Sequence, residues 1–154
     1  MENAISEVYG GKVRVRACGL CWRGNSLLMV NHSGLNHGDF WAPPGGGIEF
    51  GASIVENLKR EFLEETGLIV STGRFLFGCE FIKQPLHAIE LFFEVNAVGG
   101  ELRTGSDPEL QIIRDSRFIA FSEIKKLQAS SVHSIFTRVE TPEELNNLRG
   151  FFTL

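Results

Sequence analysis

The chain has 154 residues, 43% of them hydrophobic and 22% charged, with a formal net charge of −4. That length suits one ordinary domain with a real core, and that balance leaves no room for long disorder. Net negative charge argues against a surface built to grip a nucleic-acid polymer, which needs clustered Lys and Arg, although bound cations can still bring in a small phosphate-bearing ligand.

Residues 12–22 alternate, with Val13, Val15 and Ala17 on one face and Lys12, Arg14 and Arg16 on the other, the pattern of a half-buried strand. Arg23-Gly24-Asn25 signals a turn, and SLLMV (26–30) a second strand. HSGLNHGD (32–39) reads as an exposed loop, followed by a short strand at 40–42. PPGGG (43–47) can be neither helix nor central strand, because Pro removes donors and Gly weakens regular structure. Ser53, with Glu56 three positions on, forms a capping box and opens a helix that Gly67 ends as a left-handed cap. Strands follow over 74–82 and 86–95, turning at Lys83-Gln84-Pro85, and Gly99-Gly100 marks another turn. Residues 103–116 lack periodicity and read as a loop. A short strand over 118–121 precedes a helix over 123–128 capped by Ser122, and Thr141-Pro142-Glu143-Glu144 opens a last helix with a second capping box.

REFLEETG (60–67) is the segment with chemical meaning. On a helix, Glu61, Glu64 and Glu65 fall within an arc of roughly 100°. Like charges at those spacings oppose the helix by about 0.2–0.5 kcal/mol per pair. They also lie in the last turn, where the helix dipole disfavours anions. Such local conflict tends to mark a functional site. A hard cation resolves it, since Mg²⁺ takes oxygen ligands from carboxylates, substrate phosphates and water. The apolar stripe Ile54, Val55, Leu58 and Phe62 places Glu65 at the edge of the core. A solvated acidic face is the commoner fate of three such glutamates, and the glycine loop upstream is what weighs against it here.

Gly46, Arg60-Glu61, apolar Phe62, Glu64-Glu65, Gly67 and apolar Leu68 together resemble the Nudix box. Given typical residue frequencies, the matched subset arises by chance in roughly one in a million chains of this length. The resemblance implies an α/β/α sandwich around a mixed β-sheet, in one domain with its core over about 12–130 and a helical extension over 131–154. It further implies hydrolysis of a phosphoanhydride with Mg²⁺ (or Mn²⁺), held by Glu61, Glu64, Glu65 and the Gly46 carbonyl. Arg60 then aims the carboxylates, pairing with Glu64 or Glu56. A water attacks phosphorus, and its general base is Glu61 or Glu64 on the helix, with Glu109 in the 103–116 loop as the alternative. Ala52 stands where the family's pattern has its first Glu, and Glu56 or Glu49 is a candidate replacement partner for Arg60.

For substrate binding the candidates are Arg14, Arg16, Gly45, Gly46, Gly47 and Glu90, with Phe40 or Phe81 stacking on a base. Arg14 and Arg16 fit a solvent-facing strand surface equally well. Gly45–Gly47 lack the lysine and Ser/Thr of a P-loop. The leading substrate is a nucleoside diphosphate linked to another moiety, ADP-ribose-like or a nucleotide sugar; nucleoside triphosphates, or a catalytically weak nucleotide-binding module, are the alternatives. Cys18 and Cys21 have CxxC spacing but should point to opposite strand faces as core residues, and with Cys79 they are too few for a disulfide framework. His32, His37, His87 and His133 show no ligand spacing and read as surface or loop residues, with His32 and His37 open to substrate contact. The N-terminus lacks a secretion-signal pattern and no apolar run is long enough to cross a bilayer, so a cytoplasmic protein without membrane partners is expected. Family resemblance leaves a homodimer open.

Overall fold

The computed structural model describes residues 2–32, 38–103 and 113–154. Helix α1 (Glu2–Tyr9) precedes strands β1 (Arg14–Leu20), β2 (Trp22–Arg23), β3 (Ser26–His32), β4 (Trp41–Ala42) and β5 (Gly45–Gly47). Helix α2 (Ile54–Thr66) follows, then a long hairpin of β6 (Leu68–Lys83) and β7 (Leu86–Gly100). Next come β8 (Ile113–Ala120), α3 (Phe121–Ile124), two 3-10 turns (Ala129–Ser131 and Ser134–Arg138), α4 (Pro142–Asn146) and β9 (Phe151–Thr153).

One sheet runs β5-β1-β7-β6-β9 and is mixed: β1 is parallel to β7 and β6 to β9, while β5-β1 and β7-β6 are antiparallel. The other is antiparallel and centred on β3, which pairs with β2, β4 and β8. Period-two alternation sorts these strands between two cores. Ala17, Cys21, Leu28, Leu68, Val70 and Val95 meet Leu58 and Phe62 of α2. Their opposite-parity neighbours Cys18, Leu20, Leu27, Met29, Phe77 and Phe92 meet Ile135, Phe136, Val139 and Leu145 of the C-terminal segment. Helical layers thus cover both faces, giving the expected α/β/α arrangement. No helix among the described residues is long and apolar enough to cross a membrane.

Several local expectations are corrected. The face of β1 carrying Arg14 and Arg16 turns inward to a cleft, while Val13 and Val15 are exposed, because α2 covers that other face only from Ala17 onward. The exclusion of helix and central strand over 43–47 holds: Gly45–Gly47 form an edge strand that pairs, among the described residues, with β1 alone, so the preceding prolines cost no ladder bonds. Residues 113–116 belong to β8, and 104–112 lie outside the described residues. The helix expected over 123–128 is shorter and starts earlier, at Phe121, with no side-chain cap; burial of Phe121 and Ile124 sets its position, not Ser122. At α4, Thr141 caps as expected, but Glu144 accepts from the Glu140 N–H rather than that of Thr141. Strands β6 and β7 run on to residues 68 and 100, absorbing the expected Gly99-Gly100 turn, because each supplies the other's partners. Helix α1 carries a weak local signal, and the extension expected to be helical over 131–154 ends in strand β9, which pairs with β6.

Candidate active site

Helix α2 is set at both ends by its own sequence. Ser53 Oγ accepts from the Glu56 N–H at 3.1 Å, Glu56 answers on the Ser53 N–H at 3.2 Å, and Gly67 closes the helix at φ 78°. The apolar stripe holds for Leu58 and Phe62, whereas Val55 is exposed and Asn57 is fully buried. Asn57 ties the preceding loop to the helix: its Oδ1 accepts from the Glu49 N–H (3.1 Å) and Arg60 Nη2 (2.8 Å), and its Nδ2 donates to the Ser53 carbonyl (2.7 Å). A polar residue beside the apolar stripe was the one sequence signal for it, and sequence reasoning passed over it.

Arg60 gathers acidic groups, reaching Glu49 at 3.1 Å, Glu61 at 3.2 Å and Glu64 at 3.9 Å. Glu49 therefore stands as the partner that Ala52 cannot be, while Glu56 stays in the capping box. Glu61 lies against Gly46 so closely that a Cβ there would land on its carboxylate carbon. Burial pushes the Glu61 carboxyl pKa up, and Glu64 adds to that, against the hydrogen bond from Arg60. Glu65 lies deeper than the edge-of-core position expected for it, at 2% exposure, and accepts from the Gly45 N–H at 3.0 Å. His32 Nε2 is 3.9 Å from its other oxygen. Burial, with the charge of Arg16, lowers the His32 pKa to about 3, so near neutral pH the ring is uncharged.

These groups line one cleft of about 300 Å³ together with Arg14, Arg16, Gly45–Gly47 and Glu90. Phe40 and Phe81 line it too, and Tyr9 of α1 adds a ring over which the Arg14 guanidinium sits at 3.9 Å. The structure thus brings together every predicted site residue except Glu109, which lies outside the described residues, as does His37. His32, at the end of β3, and His133, in the turn before Ser134–Arg138, are buried rather than at the surface, while His87 lines the cleft and meets Glu80 at 2.9 Å.

Glu90, 3% exposed, is a hydrogen-bond hub. Arg16 Nη1 meets Oε2 at 2.5 Å and Cys18 Sγ meets it at 3.7 Å; His133 Nε2 meets Oε1 at 2.7 Å and Cys79 Sγ meets it at 3.8 Å. Burial opposes ionisation of Glu90, but His133 and Arg16 outweigh it and hold the carboxyl at about 2. Cys79, Glu90 and His133 are close enough to suggest a soft-metal site. Burial pushes the Cys18 and Cys79 pKa values well up when no metal is bound. Both thiols donate to Glu90. Cys18 and Cys21 do point into opposite cores, as their strand spacing requires, and all three cysteines are free and buried.

Comparison with known proteins agrees with this geometry. Over 111 residues the chain is 28% identical to an ADP-ribose pyrophosphatase of Methanocaldococcus jannaschii, covering 71% of this chain and 63% of that protein, so less than two thirds of the relative is spanned. A NUDIX hydrolase from Nitrosomonas europaea superposes with a TM-score of 0.74 at 18% identity, over 89% of this chain and 93% of that one. An ADP-ribose pyrophosphatase from Streptococcus suis superposes at 0.62 and 18% identity, over 90% and 98%. The NUDIX domain profile matches residues 12–139, which takes in the glycine strand, the carboxylate helix, Glu90 and His133. With that match over most of its length, the chain belongs to the Nudix family.

Proposed function

We propose that this protein hydrolyses the phosphoanhydride bond of a nucleoside diphosphate linked to another moiety, with ADP-ribose or a nucleotide sugar as substrate and Mg²⁺ (or Mn²⁺) as cofactor. The observation that carries this reading is the convergence of Glu61, Glu64 and Glu65 beside Gly46 in the cleft that also holds Arg14 and Arg16. The donors suit a hard cation: they are carboxylate oxygens, and the raised Glu61 pKa reports negative charge crowded into a poorly hydrated place. Glu61, Glu64, Glu65 and the Gly46 carbonyl would hold the ion. When bound, it offsets the diphosphate charge and makes an attacking water more acidic.

The chain's own groups do the rest. Arg60, braced by Asn57 and Glu49, aims the helix carboxylates. Arg16 and Arg14 orient phosphate oxygens, and the Gly45–Gly47 strand lets the diphosphate approach the backbone. Glu61, whose carboxylate lies against Gly46 in the cleft, takes the proton of the attacking water. Water oxygen bonds to phosphorus, the bridging P–O bond breaks, and two phosphomonoesters leave. Phe81 and Phe40 offer faces to a base, and Tyr9 backs Arg14. The similarity to ADP-ribose pyrophosphatases favours ADP-ribose over nucleoside triphosphates.

A panel of ADP-ribose, nucleotide sugars and nucleoside triphosphates, assayed with Mg²⁺ and again with excess chelator, tests the reading. Expected are AMP and ribose 5-phosphate from ADP-ribose, abolished by chelation. Saturable binding of the panel without any product would favour the nucleotide-binding module that Ala52 makes conceivable.

A further inference from the structure

We propose that His133 is a positioning residue: through Glu90 it locks the Arg16 guanidinium in place as the phosphate clamp of this cleft. This rests on the diphosphate substrate proposed above, and no sequence motif points to it.

The geometry determines the tautomer of His133. Its Nδ1 receives the Ile135 backbone N–H at 3.1 Å. A backbone N–H can only donate, so Nδ1 carries a lone pair and the ring proton sits on Nε2. That proton points at Glu90 Oε1, 2.7 Å away. The ring has little freedom to turn: the His133 N–H donates to the Trp41 carbonyl at 2.9 Å, Val132 bridges to Trp41, and Phe92 meets the ring edge-on. His133 thus offers one donor, in one direction, to one oxygen.

Glu90 passes that order on. Its Oε1 takes His133 and the Cys79 thiol; its Oε2 takes Arg16 and the Cys18 thiol. With all four around it, the carboxylate has one orientation, and its Oε2 holds Arg16 Nη1 at 2.5 Å. Arg16 Nη2 meets the Gly45 carbonyl at 3.3 Å, and the guanidinium lines the cleft beside the three helix carboxylates. A free arginine side chain loses much rotamer entropy when a ligand orders it. Here the protein orders it beforehand, presenting a planar fork suited to phosphate oxygens. Removing the His133 donor leaves a buried carboxylate short of a partner. Glu90 then turns or takes up a proton, and Arg16 loses its fixed aim.

A double-mutant cycle on the full chain with Mg²⁺ tests this, using Arg16→Ala, His133→Leu and the pair, with ADP-ribose as the probe. His133→Leu should raise KM at least tenfold while kcat changes less than threefold. In the Arg16→Ala background the same substitution should change KM less than twofold, because its effect passes through Arg16. Independent, multiplying effects on KM would overturn the proposal, as would an unchanged KM in His133→Leu. His133→Gln, whose side-chain amide can still donate to Glu90, should recover most of the loss; a KM no better than that of His133→Leu counts against it. Should the leucine variant not fold, ¹⁵N NMR of the wild-type imidazole decides: a proton on Nδ1 at neutral pH sinks the idea. If wild type turns over nothing in the panel, the substrate reading has failed. The cycle is then run on the Kd of α,β-methylene-ADP with Mg²⁺, where the same non-additivity is required, and if that probe does not bind the NMR tautomer decides.

Discussion

Glu65 shows why three acids at a helix C-terminus signal more than a solvated face. A carboxylate 2% exposed is costly unless something satisfies it, and the Gly45 N–H is one of its partners. Glu61 and Glu64 stand on the same cleft, held by Arg60. Glu64→Gln and Glu65→Gln, which keep shape and remove charge, should each lower kcat for ADP-ribose by at least about tenfold, or about 1.4 kcal/mol of barrier. Circular dichroism should show both variants folded, and unchanged turnover in both would remove the helix from the mechanism. Ala52 tests the opposite direction. Glu49 already meets Arg60 at 3.1 Å, so Ala52→Glu should leave kcat/KM unchanged or raise it. A severe loss would mean that the site is built around the smaller side chain.

Helix α2 depends on its ends. The capping box and the Gly67 turn, with Arg60 paired to Glu61 and Glu64, oppose the electrostatic strain of three acids in its last turns. Ser53→Ala removes the acceptor for the Glu56 N–H and should cost about 1 kcal/mol of unfolding free energy in urea titrations, typical for an N-cap loss. Because the backbone carbonyl of residue 53 still receives Asn57 Nδ2, activity at saturating substrate should change little. A loss of several kcal/mol would show that the cap also holds the Glu49 loop. The glycine strand is the other element under constraint. A Cβ at Gly46 would strike Glu61 and one at Gly47 would come 2.8 Å from Arg14 Nη2, so the loop's composition follows from side chains elsewhere that must reach it.

Across the whole molecule, buried ionisable groups make stability depend on pH. His32 has its folded pKa lowered to about 3 from an ordinary 6.5, so below pH 6.5 the unfolded chain binds a proton the folded one does not. Its contribution is complete above pH 6.5 and falls as pH drops toward 3, by up to about 1.4 kcal/mol per pH unit. Glu90, held at about 2, adds a loss only below its ordinary 4.5. Between pH 6.5 and 5.0 the wild type should therefore lose stability in urea titrations more steeply than His32→Gln. Parallel slopes for the two proteins would show that His32 takes up protons as readily folded as unfolded.

Much of this protein is legible in local spacing. The strands of residues 12–30, the capped helix and its glutamates, and the opposed cysteines follow from period two, period 3.6 and capping chemistry, which act between near neighbours. The direction β1 turns its arginines does not, because alternation defines two faces without saying which is covered. Nor could spacing reveal that His133 serves Glu90, or choose Glu49 over Glu56 as the partner of Arg60. Glu90 and His133 meet only when the C-terminal turns pack against β7, and Glu49 reaches Arg60 only when the loop before α2 folds back onto the helix. Local order arises from interactions a few residues apart; a buried polar network is settled by which distant donors the packed chain leaves facing each charge.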